Sequence, residues 1–233
     1  MIKRLTAAAL AIALAGTPSF VAAEEAAAEA APAPRLFMPV NYNPQEDLEN
    51  ILYLDLSNGK RVTIRLMPSW APEHIERIKT LTRQGFYDGI IFHRVIDGFM
   101  AQTGDPTGTG QGGSELPDLK QEFNPMPHVR GTVSMARAQG EDSANSQFFI
   151  VFYPRLGLDR KYTNFGRVIG GMDAVDAIQR GEPPANPTRI VQASIGSDNK
   201  APPVIAPPAQ EVMITADMLN AASSAASDSP EGQ

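Results

Sequence analysis

The sequence predicts an all-β fold: a closed eight-stranded antiparallel barrel capped by two α-helices. Three observations carry this reading. First, eight short apolar or alternating segments are strung through the middle of the chain, at 51–56, 61–66, 90–95, 99–103, 131–136, 147–151, 163–169 and 189–195. Second, only two stretches of that middle region have helical spacing, and they lie near the two ends of the strand order. A parallel sheet needs a crossover between successive strands, so that class is excluded. Third, eight strands within about 150 residues favour closure, because closure removes exposed sheet edges. An open sandwich is the alternative on pattern alone.

The elements follow in order. Ile51 to Leu56 is an apolar run. Val62, Ile64 and Leu66 alternate with Arg61, Thr63 and Arg65, the pattern of a strand with one wet face. Asn58-Gly59 lies between them and is a strong short-range hairpin signal. A helix follows: Pro72 suits its first turn, Glu73 complements the positive end of the dipole, Ile75, Ile78 and Leu81 share a face, and Gly85 stops it. A second helix starts after Gly170-Gly171, with Asp173 in its first turn and Met172, Val175 and Ile178 spaced by three. Gly181 is expected to end it, before Pro183 and Pro184.

The ends read differently. Lys3 and Arg4 precede an apolar run from Leu5 to Gly16, and Val21-Ala22-Ala23 offers small residues before a cut. Residues 1–23 are therefore expected to be a cleavable signal peptide, and the run is too short to span a bilayer. Export, with the periplasm as destination, follows from it. Residues 24–47 read as an Ala/Pro-rich linker, 48–198 as the folded domain, and 199–233 as a disordered tail in which 212–222 has some helical pattern.

Composition narrows the function. The 233 residues are 42% hydrophobic and 20% charged, which suits a globular core. There is no cysteine, so disulfides, thiolate zinc sites and a cysteine nucleophile are excluded. His74, His93 and His128 have no metal-ligand spacing, so no metal is expected. The formal net charge of −6 argues against nucleic acid as a partner. No stable membrane insertion is expected, and no association element is visible, so the domain reads as a monomer. Gly108 to Gly113 lacks the Lys-Ser/Thr ending of a phosphate loop and reads as a flexible wall beside a groove. No Gly-x-Ser-x-Gly elbow is present, so a serine hydrolase is unsupported.

Two segments mix polar residues with large apolar ones: Phe92 to Gln102, and Gly131 to Ala136 followed by Ser146 to Ile150. Along a strand, alternate residues share a face. Met100 then lies with Gln102, and Gln147 with Phe149, while Phe148 points the other way. An outer surface of Arg, Gln, Met and Phe is apolar with a few placed donors, as peptide grooves are.

In order and spacing these segments resemble the signature of the cyclophilins. The likeness extends over most of 48–198, including Gly104-Asp105, the glycine-rich loop 108–113, Glu122-Phe123 and Phe165-Gly166. It implies a two-helix-capped antiparallel barrel and peptidyl-prolyl cis–trans isomerase activity without a cofactor, acting on proline-containing peptides and on exported proteins as they fold. Carried over by position, it implies Arg94 as the catalytic arginine, supported by Gln102. Phe99, Met100, Phe149 and Leu158 become the proline pocket, and His93, Ala136, Arg137, Gln147 and Tyr162 line the groove. Three positions depart from the family pattern: Gly157 where many members have Trp or Phe, Arg137 where Asn is common, and Tyr162 where many have His. Gly157 removes a groove wall and keeps a second reading open, a prolyl-peptide binding module with poor turnover.

Overall fold

The structure, a computed structural model, describes residues 36–204. The expected signal peptide, residues 24–35 of the expected linker and the tail from residue 205, including 212–222, lie outside the described residues. Alternation decides which residues enter the core. Leu52, Leu54 and Leu56 of β1 (Ile51–Leu56) and Val62, Ile64 and Leu66 of β2 (Arg61–Leu66) fill one cluster with Phe92, Val95, Met135, Phe148, Phe165 and Ile195. The hairpin between β1 and β2 turns at Asn58-Gly59 as expected. Gly59 has φ +81°, a conformation that costs glycine little.

Helix α1 (Pro72–Arg83) starts with Pro72 and buries Ile75, Ile78 and Leu81. Its capping group comes from far away in sequence: Glu122 Oε2 accepts from the His74 backbone N–H at 3.1 Å and meets His74 Nδ1 at 2.7 Å. A carboxylate at that end is favourable both as acceptor and as countercharge. The remaining strands are β3 (Arg94–Ile96), β4 (Met100–Thr103), β5 (Thr132–Arg137), β6 (Ala144–Val151), β7 (Asn164–Gly170) and β8 (Ile190–Ile195), all paired antiparallel.

Three expectations need correction. The sheet order is β3-β4-β6-β5-β7-β2-β1-β8, so the sheet curls toward a barrel but is not closed strand to strand. Its seam is an isolated Ile91–Arg189 bridge plus N–H bonds from Gly89 to Ile190 O at 2.7 Å, Phe92 to Thr188 O at 2.9 Å and Ile190 to Ile90 O at 2.9 Å. The expected strand 90–95 is broken there, and the Ile91 carbonyl is occupied by Thr103 Oγ1 at 2.9 Å. The second helix, α2, ends early (Met172–Asp176). Beyond it the chain is drawn across to β3, where Gly181 and Val95 exchange backbone bonds at 2.8 and 2.9 Å. Among the described residues, no helix is long and apolar enough to cross a membrane.

The third correction concerns the outer face of β2. Arg65 is only 2% exposed. Its guanidinium donates to the carbonyls of Asn41, Asn43, Glu46 and Asp47 at 2.6 to 3.0 Å. Trp70 Nε1 donates to Met38 O at 2.9 Å. The described end of the expected linker is thus strapped over a face that alternation alone reads as wet. Arg65→Met is expected to cost about 3 kcal/mol, since it removes several charge-assisted bonds at once. Urea unfolding measures the loss, and limited proteolysis should find new cleavage within 36–47.

Candidate active site

The opposite face of β4 and β6 carries a second, smaller apolar cluster. Met100, Phe149 and Val151 form its buried part, with Ile96, Phe99, Ala136, Leu158 and Tyr162 packed around them. The division follows the pleat. Phe148 is in the main core and Phe149 in the outer cluster, while Ala101 is inside and Met100 outside. Phe149 pairs across to Gln102 on one side and to Ser134 on the other, and Arg94 stands opposite Gln102 in the β3–β4 ladder. Strand register therefore delivers Arg94, Gln102 and Phe149 to one surface.

Arg94, Phe99, Met100, Gln102, Ala136, Arg137, Phe149, Leu158 and Tyr162 line one cavity of about 250 Å³. Its floor is apolar, with Phe149 and Tyr162 edge to face at 5.8 Å between centroids. Gln147 joins Gln102 in an adjoining cavity beside Gly110 to Ser114, and His93 shares a third with Arg94 and Gln102. Each catalytic or groove residue implied by the resemblance lines one of these three neighbouring cavities, whereas Gly157 lines none of them.

A polar chain runs along it. Glu182 Oε2 accepts from Arg94 Nε at 2.7 Å, and Arg94 Nη1 reaches Gln102 Oε1 at 3.5 Å. Gln102 Nε2 donates to Gln147 Oε1 at 2.8 Å, and Gln147 Nε2 donates to the carbonyls of Gly110 and Gly112 at 3.1 and 2.7 Å. Glu182 has no local signal in the sequence. It reaches Arg94 because the neighbouring Gly181 is paired to Val95.

The glycine-rich loop is pinned, which corrects its reading as a flexible wall. Asp105 Oδ1 accepts from the N–H and Oγ1 of Thr107 at 2.7 and 2.8 Å, and Oδ2 accepts from the Gly110 N–H at 2.6 Å. A Cβ on Gly112 would lie 2.2 Å from Asp105 Oδ1, so a side chain there would push that carboxylate out of its bonds. Burial opposes the Asp105 charge, but bonds from Thr107, Gly112 and Gly110 outweigh it and hold the carboxyl at about 2. Burial, opposed by Asp105 and reinforced by Arg94, holds the His93 imidazole below its ordinary value. Neither His93 ring nitrogen has a hydrogen-bond partner among the described residues.

Beneath the floor lies a chain the sequence did not reveal. His128 Nδ1 meets Asp159 Oδ1 at 2.8 Å, and His128 Nε2 meets Ser134 Oγ at 3.1 Å. Serine, histidine and aspartate in this order form the hydrogen-bond pattern of nucleophilic catalysis. Here Ser134 is fully buried, and its Oγ also lies 2.9 Å from the Thr163 carbonyl. The His128 ring lies roughly parallel to Phe149, 6.4 Å between centroids. The group supports the floor and is closed to a substrate. Gly157, on the rim, has nothing within 4 Å of where a Cβ would stand.

Residues 52–195 match the family model described as cyclophilin type peptidyl-prolyl cis-trans isomerase/CLD. The chain belongs to the cyclophilins. A Brucella suis protein described as a probable peptidyl-prolyl cis-trans isomerase is 47% identical over 170 residues, covering 66% of this chain and 86% of that one. Peptidyl-prolyl cis-trans isomerase B of Bacillus subtilis is 40% identical over 131 residues, covering 56% and 91%. Among solved structures, cyclophilin AquaCyp293 from Hirschia baltica superposes with a TM-score of 0.61 at 30% identity, covering 67% of this chain and 77% of its own. A Cryptosporidium parvum cyclophilin crystallised in the presence of the dipeptide Ala-Pro gives 0.58 at 29% identity, covering 62% and 98%. This cyclophilin is accordingly a peptidyl-prolyl cis–trans isomerase.

The loop anchor has a pH signature. An Asp105 carboxyl depressed to about 2 binds fewer protons folded than unfolded. Its stabilisation is complete above the unfolded value, about 3.9, and disappears as pH falls through about 2. Asp105→Asn presents an amide to the Gly110 N–H and loses the charge, so it should be less stable than wild type at pH 7. Urea unfolding of both proteins should show the gap shrinking between pH 4 and pH 2.

Proposed function

We propose that this cyclophilin isomerises X–Pro bonds in peptides and in exported proteins as they fold, acting as a monomer, with Arg94 stabilising the twisted amide over the Phe99/Met100/Phe149/Leu158 pocket. The single observation that carries this reading is the placement of the Arg94 guanidinium at the edge of an apolar cavity, opposite Gln102 and held by Glu182. The Ala-Pro dipeptide named for the Cryptosporidium parvum relative supports prolyl peptides as the substrate class.

The reaction is rotation about a partial double bond, with a barrier of roughly 18–20 kcal/mol. No covalent bond breaks, so neither nucleophile nor metal is required. As the amide twists, conjugation is lost and the proline nitrogen gains lone-pair character. A donor aimed at that nitrogen, or at the turning carbonyl, stabilises the twisted state more than either planar one. The pocket fixes the ring while the preceding carbonyl swings. Arg94 is a permanent cation with five N–H donors. Glu182 holds Nε and Gln102 lies 3.5 Å from Nη1, but Nη2 has no protein partner among the described residues and remains for substrate. The Gln102–Gln147 amide chain joins this donor to the pinned loop. A gain of about 10⁵ in rate corresponds to roughly 7 kcal/mol.

NMR exchange measurements on an Ala-Pro peptide test the mechanism. Arg94→Ala should lower kcat/KM by about 10² to 10³ with little change in melting temperature. Arg94→Lys keeps a charge but not the planar fork, and should recover only part of the loss. Full activity in Arg94→Ala would refute the role given to it. Binding without any exchange enhancement by wild type would favour the second reading, a binding module, for which the open wall at Gly157 is the supporting observation.

Export is part of the proposal and rests on the basic start, the apolar run and the small residues up to Ala23. Mass spectrometry of the protein recovered from the periplasm should find a chain starting near Glu24. Recovery of Met1 on that chain would count against cleavage.

A further inference from the structure

Two guanidiniums stand at the proline cavity, Arg137 in its lining and Arg155 over Phe99, and neither is paired with a carboxylate among the described residues. Arg137 closes β5. Its Nε and Nη2 donate to Lys161 O at 3.2 and 3.1 Å, its Nη1 donates to the carbonyls of Ala138 and Gln139 at 3.1 Å, and it lies 4.8 Å from the Tyr162 ring centroid. Arg155 donates through Nη2 to Gly98 O at 2.8 Å and lies 5.3 Å from the Phe99 ring centroid. All these acceptors are neutral carbonyls, and the other contacts are ring faces. Such partners fix a guanidinium in place without cancelling its charge.

Arg77 and Arg189 are likewise held by carbonyls, but several other arginines of the domain are paired with carboxylates. Arg61 pairs with Asp55, Arg83 with Glu49 and Asp198, Arg130 with Asp176, and Arg180 with Asp97. Arg94 itself is matched by Glu182. Asp159 and Asp118, near the cavity, are held by uncharged donors, so they keep their charge and offset part of the rim without pairing with either arginine. Asp159 accepts from the backbone and ring of His128, and Asp118 accepts from Asn145 Nδ2 at 2.9 Å. Arg160 and Lys161 are exposed in the same loop and add to the positive rim.

The two arginines stand on different sides of the pocket. Phe99, under Arg155, leads into β4, whereas Tyr162, beside Arg137, precedes β7. In the sheet these strands lie on opposite sides of β6, which carries Phe149. A peptide running from the β4 side of the pocket to the β7 side would meet one guanidinium on each flank of its proline. The whole chain has a net charge of −6, but at physiological ionic strength screening over about 8 Å lets the local rim prevail over distant acids.

We propose that this cyclophilin selects prolyl segments with Asp or Glu flanking the proline and discriminates against Lys and Arg there. The inference rests on the isomerase reading for its pocket but concerns the rim. Like charge on the wrong substrate and opposite charge on the right one act together, which widens the preference.

The test uses purified protein and blocked peptides built on Ala-Ala-Pro-Phe, with Glu or Lys replacing the residue two before the proline, the residue after it, or both. At low salt, NMR exchange should give kcat/KM values for the doubly acidic peptide about five- to tenfold above those for the doubly basic one, with the neutral peptide between. The spread should contract in 0.5 M NaCl. Arg137→Asn and Arg155→Gln should each narrow it, and the double variant most. Chemical-shift titration reads the same order as Kd. Normal turnover of the neutral peptide with equal values for acidic and basic ones overturns the selection. So does a spread that survives both substitutions and salt. If even the neutral peptide shows no exchange enhancement, the isomerase reading fails, while the order of Kd values still decides the selection.

Discussion

Strand β6 serves two faces at once, and most of the molecule follows from its register. Phe148 points into the main core, where it meets Tyr87 and Phe165 edge to face. Phe149, the next residue, points outward and becomes the floor of the proline cavity. A slip of one residue would exchange them, placing the floor in the core and a core ring on the rim. Pairing to β4 and β5 prevents that, and the same pairing sets Gln102 and Ser134 on either side of Phe149. Below Phe148 the register shifts, and Asn145, Ser146 and Gln147 lie opposite Ala136 alone. That irregularity re-aims Gln147 toward the glycine-rich loop while Ser146 Oγ turns inward to the Gly104 carbonyl.

Polar groups hold the site in place from three directions. Glu182 grips Arg94 from the side, the Asp105 carboxylate gathers the loop, and the Ser134–His128–Asp159 chain lies under the floor. Each spans a contact that apolar packing could not orient. An arginine poised over a hydrophobic pocket needs such support, because its long side chain otherwise loses freedom when it binds. Preorganising the donor moves that loss out of the reaction step.

Much of this was legible in the residues. The two-residue period placed Phe148 inward and Phe149 outward, Asn58-Gly59 marked the hairpin, and the groove residues recognised by resemblance proved to be neighbours in space. What stayed hidden depends on distant chain segments meeting. Arg65 reads as a solvent-facing charge until residues 41–47 are laid over it. Glu182 is an ordinary acid before two prolines until Gly181 pairs with Val95, far away in sequence. The same pairing cuts α2 short of the length its apolar spacing suggests. Closure was over-read for a related reason: strand count predicts a curled sheet, but the last seam depends on where the Ile91 carbonyl finds its partner. Ser134, His128 and Asp159 are separated in sequence, so no local pattern announces their chain.

Gly157 sits in a short 3₁₀ turn on the rim, at a negative φ and facing open space. Some other glycines of the domain are confined: a Cβ on Gly104 would come within 2.4 Å of the Ser146 carbonyl oxygen, and one on Gly171 within 2.0 Å of the Arg61 carbonyl oxygen. Those positions are fixed by the backbone. Gly157 is not, and a Cβ there would meet no atom of the barrel within 4 Å. Beside Leu158 of the pocket, residue 157 can therefore change through evolution while the fold is left untouched.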